Sequence, residues 1–403
     1  MKPSRRQTLA TLAALPVFLP WSRSALAQSA DWVRTVRAAQ GQTVYFNAWG
    51  GGERSNAYIQ WAAGEVKRQF GITLEHVKLA DTAELVRRVR AEKAAGRSEG
   101  SADMAWINGE NFLTMKREGL LHGPFAESLP NFSIIDTVGK PTTLRDFSEP
   151  VEGMEAAWGM AQFTFFADST RVPQPPASWA ELVAWAQKNP GRFTYPRPPQ
   201  FHGTTFVKQV LLEVNSDRAA LYRPHTADAF ARHTPALWAA LDALHPLLWR
   251  QGRQFPASTA VMRQMLADGE LMISLSFNPN EAANHIAAKA LPASVQSFQF
   301  TSGTVGNTHF LAIPFNARAK EGAMVVINFL QSPGAQARKA DIRHWGDPTV
   351  LALDKLTPEQ RRLFAEAGNL PGVVQRPAPV LPEPHGSWVE PLEREWLRRY
   401  GGG

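Results

Sequence analysis

The 403-residue sequence contains no cysteine. That absence excludes disulfides, a lipid-modified N-terminal Cys, iron–sulfur clusters, Cys-ligated zinc and a Cys nucleophile. Tyrosine is scarce, with five residues and no adjacent pair, so the chain does not set two phenolate oxygens side by side for a ferric ion. The ten histidines form no H-E-x-x-H motif, and His225, His233 and His245 share no helical phase. No metal site and no cofactor are expected. Past the N-terminus, no apolar run reaches the length of a membrane-spanning helix. Glycine and proline, at 29 and 30 residues, are too few for a disordered chain.

What is present starts at the N-terminus. Lys2, Arg5 and Arg6 precede a nearly uncharged stretch from Thr8 to Pro20, and Ser24-Ala25-Leu26-Ala27 ends in the A-x-A pattern of a signal-peptidase site. The apolar stretch is too short to span a bilayer, so residues 1–27 read as a cleaved signal peptide, with a mature periplasmic chain starting near Gln28. Ser4-Arg5-Arg6-Gln7-Thr8-Leu9 also resembles a twin-arginine signal, which leaves that route and the general secretory route both open. Residues 1–27 hold four basic residues and no acid, so their removal takes the formal charge from +7 to +3. Without a basic run or a nucleic-acid motif, this excess gives no reason to expect a nucleic-acid partner. The mature length of about 376 residues exceeds what one core usually fills, and two lobes are expected.

Thr43–Trp49 is β-branched and aromatic and runs into Gly50-Gly51-Gly52, the pattern of a buried strand ending in a tight loop. Strands are also expected at 72–77 and 103–107, with amphipathic helices after each. Asp81 with Glu84 forms a capping-box spacing, and Asn108 is the expected cap of a helix over 109–119. This alternation predicts a mostly parallel sheet flanked by helices. A second α/β region follows, with strands at 158–167, 193–195, 271–277 and 304–313, and Ser178 with Glu181 caps a helix within it.

The order of elements resembles the periplasmic solute-binding proteins of ABC importers, and most closely their YnjB-like branch. The residues that carry the resemblance are Val44–Gly50, Asp103–Phe112, Phe163–Asp168, Pro176–Leu182, Gly269–Ile273 and Ala323–Arg338, in the right order over nearly all of the mature chain. The resemblance implies a type II binding-protein fold: two α/β lobes, each a mostly parallel sheet flanked by helices, joined by hinge strands. It also implies a small-molecule ligand and a partner permease in the inner membrane. The expected divisions are lobe one at 28–160, lobe two at 161–298, a return to lobe one at 299–335, and a C-terminal helical region at 336–403 packed mainly on lobe two. A monomer is expected.

Open α/β sheets bind ligands at the C-terminal ends of their strands. The candidate ligand-binding residues in the first lobe are therefore Trp49, Gly51 and Glu53 after the first strand and Trp106, Asn108, Glu110 and Asn111 after the third. The second lobe is expected to add Tyr195, Arg197, Asn278 and Asn280, with Asn307 on the second crossing strand. Aromatic faces, carboxylates and amides together suit a polar organic molecule, a class that includes cationic compounds of the thiamine or polyamine type. Trp49 and Trp106 have an alternative place in the first lobe's core. The competing function is an exported hydrolase acting on a glycan or ester. No catalytic group supports it: Gly96-Arg97-Ser98-Glu99-Gly100 lies between a helix and a strand, the reverse of a nucleophile elbow, and Glu152 with Glu155 sits in a loop.

Overall fold

The structure, a computed structural model, describes residues 21–364 and 370–402. The basic and apolar parts of the expected signal peptide, including the twin-arginine-like stretch, lie outside the described residues. Helix Trp21–Ala39 runs through the expected cleavage point after Ala27, and Trp32, Val36 and Ala39 beyond that point pack on the first lobe's core.

Among the described residues eleven strands are formed: β1 Thr43–Trp49, β2 Thr73–Leu79, β3 Met104–Ile107, β4 Arg145–Asp146, β5 Glu149–Pro150, β6 Glu155–Gln162, β7 Thr164–Asp168, β8 Ile273–Ser276, β9 Val295–Phe298, β10 Thr304–Ala312 and β11 Val380–Pro382. The first lobe holds a sheet in the order β11-β10-β3-β1-β2, with β6 on the other side of β10. β1 is parallel to β2 and β3, whereas β10 runs antiparallel to β3 and β6. Strand alternation builds a core on each face of this sheet. Phe46, Met104 and Leu311 point into one core, while Ala105, Ile107, Phe310 and Ala312 point into the other. Helix Glu53–Phe70 covers the first core with Tyr58, Ile59, Ala62 and Val66. It stops at Gly71, whose φ of 70° suits glycine and lets its N–H reach the Lys67 carbonyl.

The second lobe is built on β8-β7-β9. Here the expectation of a mostly parallel sheet is corrected, because β7 is antiparallel to both neighbours. Chain direction explains it: β6 crosses from the first lobe through Phe163 and enters the second lobe directly as the central strand. Phe193–Tyr195 is buried but makes no strand. Only single backbone bonds flank it, from Met272 to Arg192 and from Trp249 to Phe193.

The chain recrosses from β9 to β10, and again from β11 to helix Val389–Tyr400. The expected placement of 336–403 mainly on lobe two is corrected in part. Trp345 packs in one first-lobe core, and Val350, Leu351 and Leu356 pack in the other. The last helix follows the expectation, with Leu392 and Trp396, and Trp388 just before it, fully buried in the second lobe, and Gly372 and Ala378 bond to Ser297 and Gln299 of the same lobe. Among the described residues no helix is long and apolar enough to cross a membrane.

Candidate functional site: the cleft between the lobes

The lobes meet in two places. At the first, the β4–β5 hairpin of lobe one faces helix Phe201–Val214 of lobe two. The turn of that hairpin is Phe147-Ser148, with φ values of 40° and 64°, a backbone that ordinarily selects Asn-Gly. Phe147 stays because its ring is used: the Lys208 ammonium lies 4.2 Å from its centroid, and a Cβ on Gly109 would come within 2.7 Å of it. Lys208 is 1% exposed and pairs with Glu383 at 2.7 Å, and Asn307 donates to the other Glu383 oxygen at 3.2 Å. Removing two such ions from water costs several kcal/mol each, so this pair persists only as a pair. Lys208 is thereby committed to Glu383.

Carboxylates collect around this pair. Asp146 is buried and accepts the Gly109 N–H at 2.7 Å, and burial drives its carboxyl upward. Glu110 keeps solvent contact yet is crowded by protein, and its carboxyl is raised by loss of water and by nearby Asp81 and Glu383. Glu393, from the last helix, accepts the Thr204 hydroxyl at 2.7 Å. Its carboxyl is pushed up to about 7, first by burial and then by Glu110 and Asp81. Among the described residues neither Glu110 nor Glu393 has an ion-pair partner. On the same side Phe201 is 38% exposed and packs edge-on to Phe277 at 5.3 Å. His202 beside it is held down to about 4 by burial against the pull of Glu281. Glu281 itself is paired with Arg263 and His285 at 3.1 and 3.0 Å.

The second meeting place is the loop 341–347 of lobe one against 278–284 of lobe two. Asn278 and Asn280 direct their amide N–H groups to the carbonyls of Trp345 and Gly346. Trp106 is half-buried in an aromatic box with Trp158, Trp345 and His309, at centroid separations of 5.1, 5.8 and 5.0 Å. It therefore packs against the first lobe's core while keeping part of its surface open. Trp49 is 43% exposed, and its ring covers Gly51, where a Cβ would lie 2.5 Å from it. Glu53 is exposed and opens helix Glu53–Phe70.

Asn108 is half-buried but caps nothing, since the helix starts one residue later from Gly109 at φ 67°. Asn111 donates to Glu110 at 3.3 Å. Tyr195 and Arg197 are corrected. Tyr195 is wholly buried, with its hydroxyl bonded to His245 at 2.7 Å and to Trp396 at 2.9 Å, and Arg197 is tied to the Gly401 carbonyl. Both belong to the seat of the last helix, which a local reading of 193–197 does not reveal. Lys208, Glu383 and Glu393 were missed. The available signal was a lysine inside the apolar run Thr204–Leu212, a position where a cation demands a buried partner. Glu155 is buried with no hydrogen bond to either oxygen, and Ser98 is exposed on a turn, so among the described residues neither group has a partner to activate it. A hollow of about 380 Å³ on the second lobe, lined by Asp168, Arg171, Leu266 and Pro292, contains none of the cleft groups.

The family model for bacterial extracellular solute-binding proteins matches residues 61–352. The chain belongs to this family. The solute-binding protein is 48% identical over 374 residues to protein YnjB of Escherichia coli K12, covering 93% of this chain and 95% of that one. It is 23% identical over 361 residues to the spermidine/putrescine-binding periplasmic protein of the same organism, covering 87% and 91%. Among solved structures, an ABC transporter protein from Clostridium perfringens superposes with a TM-score of 0.60 at 17% identity, covering 89% and 98%. The spermidine/putrescine substrate-binding protein of Streptococcus pneumoniae gives 0.58 at 14% identity, covering 89% and 98%. The fold of this solute-binding protein is accordingly the two-lobed type II binding-protein fold. Its relatives are binding proteins, and the hydrolase alternative finds no support among them.

Proposed function

We propose that this solute-binding protein is the monomeric periplasmic receptor of an ABC importer and captures a small cationic organic molecule between its lobes. A cleaved signal peptide ending at Ala27 delivers it to the periplasm, and a permease in the inner membrane receives the ligand. The observation that carries the cationic reading is the charge of the cleft. Among the described residues Asp81, Glu110 and Glu393 have no ion-pair partner; beyond the effect of burial, Asp81 raises the carboxyls of Glu110 and Glu393 and Glu110 raises that of Glu393, while the nearby Lys208 is already neutralised by Glu383. A cation relieves that repulsion, and an anion adds to it. The relatives that bind spermidine and putrescine are in keeping with this reading.

The test is calorimetric titration of the mature chain with putrescine, spermidine and thiamine, using glutamate and glucose as anionic and neutral controls. Binding of one of the cations is expected, weakened by salt and by roughly tenfold or more in Glu110→Gln, the scale of a lost charge-assisted contact. Binding of the anionic or neutral control alone overturns the cationic reading and leaves the family assignment intact.

A further inference from the structure

We propose that Arg54, Asn278, Asn280 and Asn284 form a clasp that holds the lobes together without any ligand contact. The proposal does not depend on which ligand the cleft takes.

The receiving side of the clasp is a fixed loop. Trp345 is wedged among Tyr58, Trp106 and Trp158 at centroid separations of 5.5, 5.8 and 5.5 Å. Two residues on, Asp347 is ion-paired with buried Lys339 and bonded to His309 at 3.0 Å. His309 lies on β10, so the loop is tied to the strand that crosses between the lobes. These anchors leave the carbonyls of Trp345 and Gly346 as pre-positioned acceptors.

The second lobe supplies the donors. Asn284, 1% exposed, donates to the Trp345 carbonyl at 2.6 Å, and Asn278 approaches the same oxygen at 3.4 Å. Asn280 donates to Gly346 at 2.8 Å, while its own N–H is held by Asn278 Oδ1 at 2.9 Å. Arg54 closes the arrangement from lobe one. It bonds to the carbonyl of Asn284 across the gap at 2.7 Å and to Ile342 in its own lobe at 2.8 Å. Shape agrees with the bonding: Gly346 has φ 76°, and a Cβ there would meet Asn284 Oδ1 at 2.8 Å. The side-chain amide N–H bonds of all three asparagines run from one lobe to the other, so their natural consequence is to hold the lobes together. Each such bond shifts the balance between closed and open forms by roughly two- to tenfold.

Small-angle scattering of the ligand-free mature chain tests the clasp, with Asn280→Ala and Arg54→Ala as variants and circular dichroism as the check on folding. Asn280→Ala removes only a bond between lobes, so it remains informative if Arg54→Ala fails to fold. The expected result is a compact parent matching this arrangement of the lobes and a shift to a larger radius of gyration in the folded variants. A parent already extended without ligand, or a folded Asn280→Ala chain that scatters like the parent, overturns the proposal.

Discussion

Glu393 shows how one side chain records the character of the cleft. Its carboxyl, ordinarily near 4.5, is pushed up to about 7 by burial and by Glu110 and Asp81. The folded chain therefore binds protons there that the unfolded chain releases. Stability from this group is complete below pH 4.5 and is lost as pH rises through about 7. Glu393→Gln removes the ionisation, so in thermal melts the variant should gain on the parent at pH 8 relative to its difference from the parent at pH 4. A difference independent of pH would mean that Glu393 does not ionise against its neighbours. Lys208 teaches the complementary lesson about reading a sequence. A lysine inside Thr204–Leu212 marks a buried cation, but its partner lies at Glu383, 175 positions on, and only folding brings the two together.

The elements were legible where local chemistry decides them. β1 and β3 alternate as their sequences require, and Ser178 caps its helix by accepting the Glu181 N–H while the Glu181 carboxylate reaches back to Ala177. They were less legible where a distant element supplies the partner. Tyr195 has the composition of a strand end facing a ligand, yet Trp396, 201 positions away, takes its hydroxyl as acceptor. The direction of β7 likewise follows from the crossing that precedes it rather than from its own residues. The last helix is consequently a structural element of lobe two as well as the carrier of Glu393. Trp396→Ala should destabilise the protein by about 3–5 kcal/mol, the usual cost of emptying a large aromatic site, measured by urea unfolding. A loss below about 1 kcal/mol would show that the helix is not integral to that core.

At the scale of the molecule, the two meeting places of the lobes play different parts. In the proposed reading, the carboxylates of Glu110 and Glu393 oppose closure until a cation lies between them, whereas the bonds of Arg54 and of the amides at 278–284 to the loop 341–347 favour closure whether or not a ligand is present. A ligand shifts such a balance only through its preference for the closed form, and a weaker clasp lowers the fraction of chains competent to bind tightly. The consequence is specific. Arg54→Ala should bind the cation identified by titration more weakly than the parent, by the same factor as its loss of closed population. At saturating ligand it should nevertheless reach the parent's compact radius of gyration in small-angle scattering. Arg54 would then act on the equilibrium rather than on the ligand. An unchanged affinity in a variant whose ligand-free form has opened would break this linkage and show that closure does not contribute to capture.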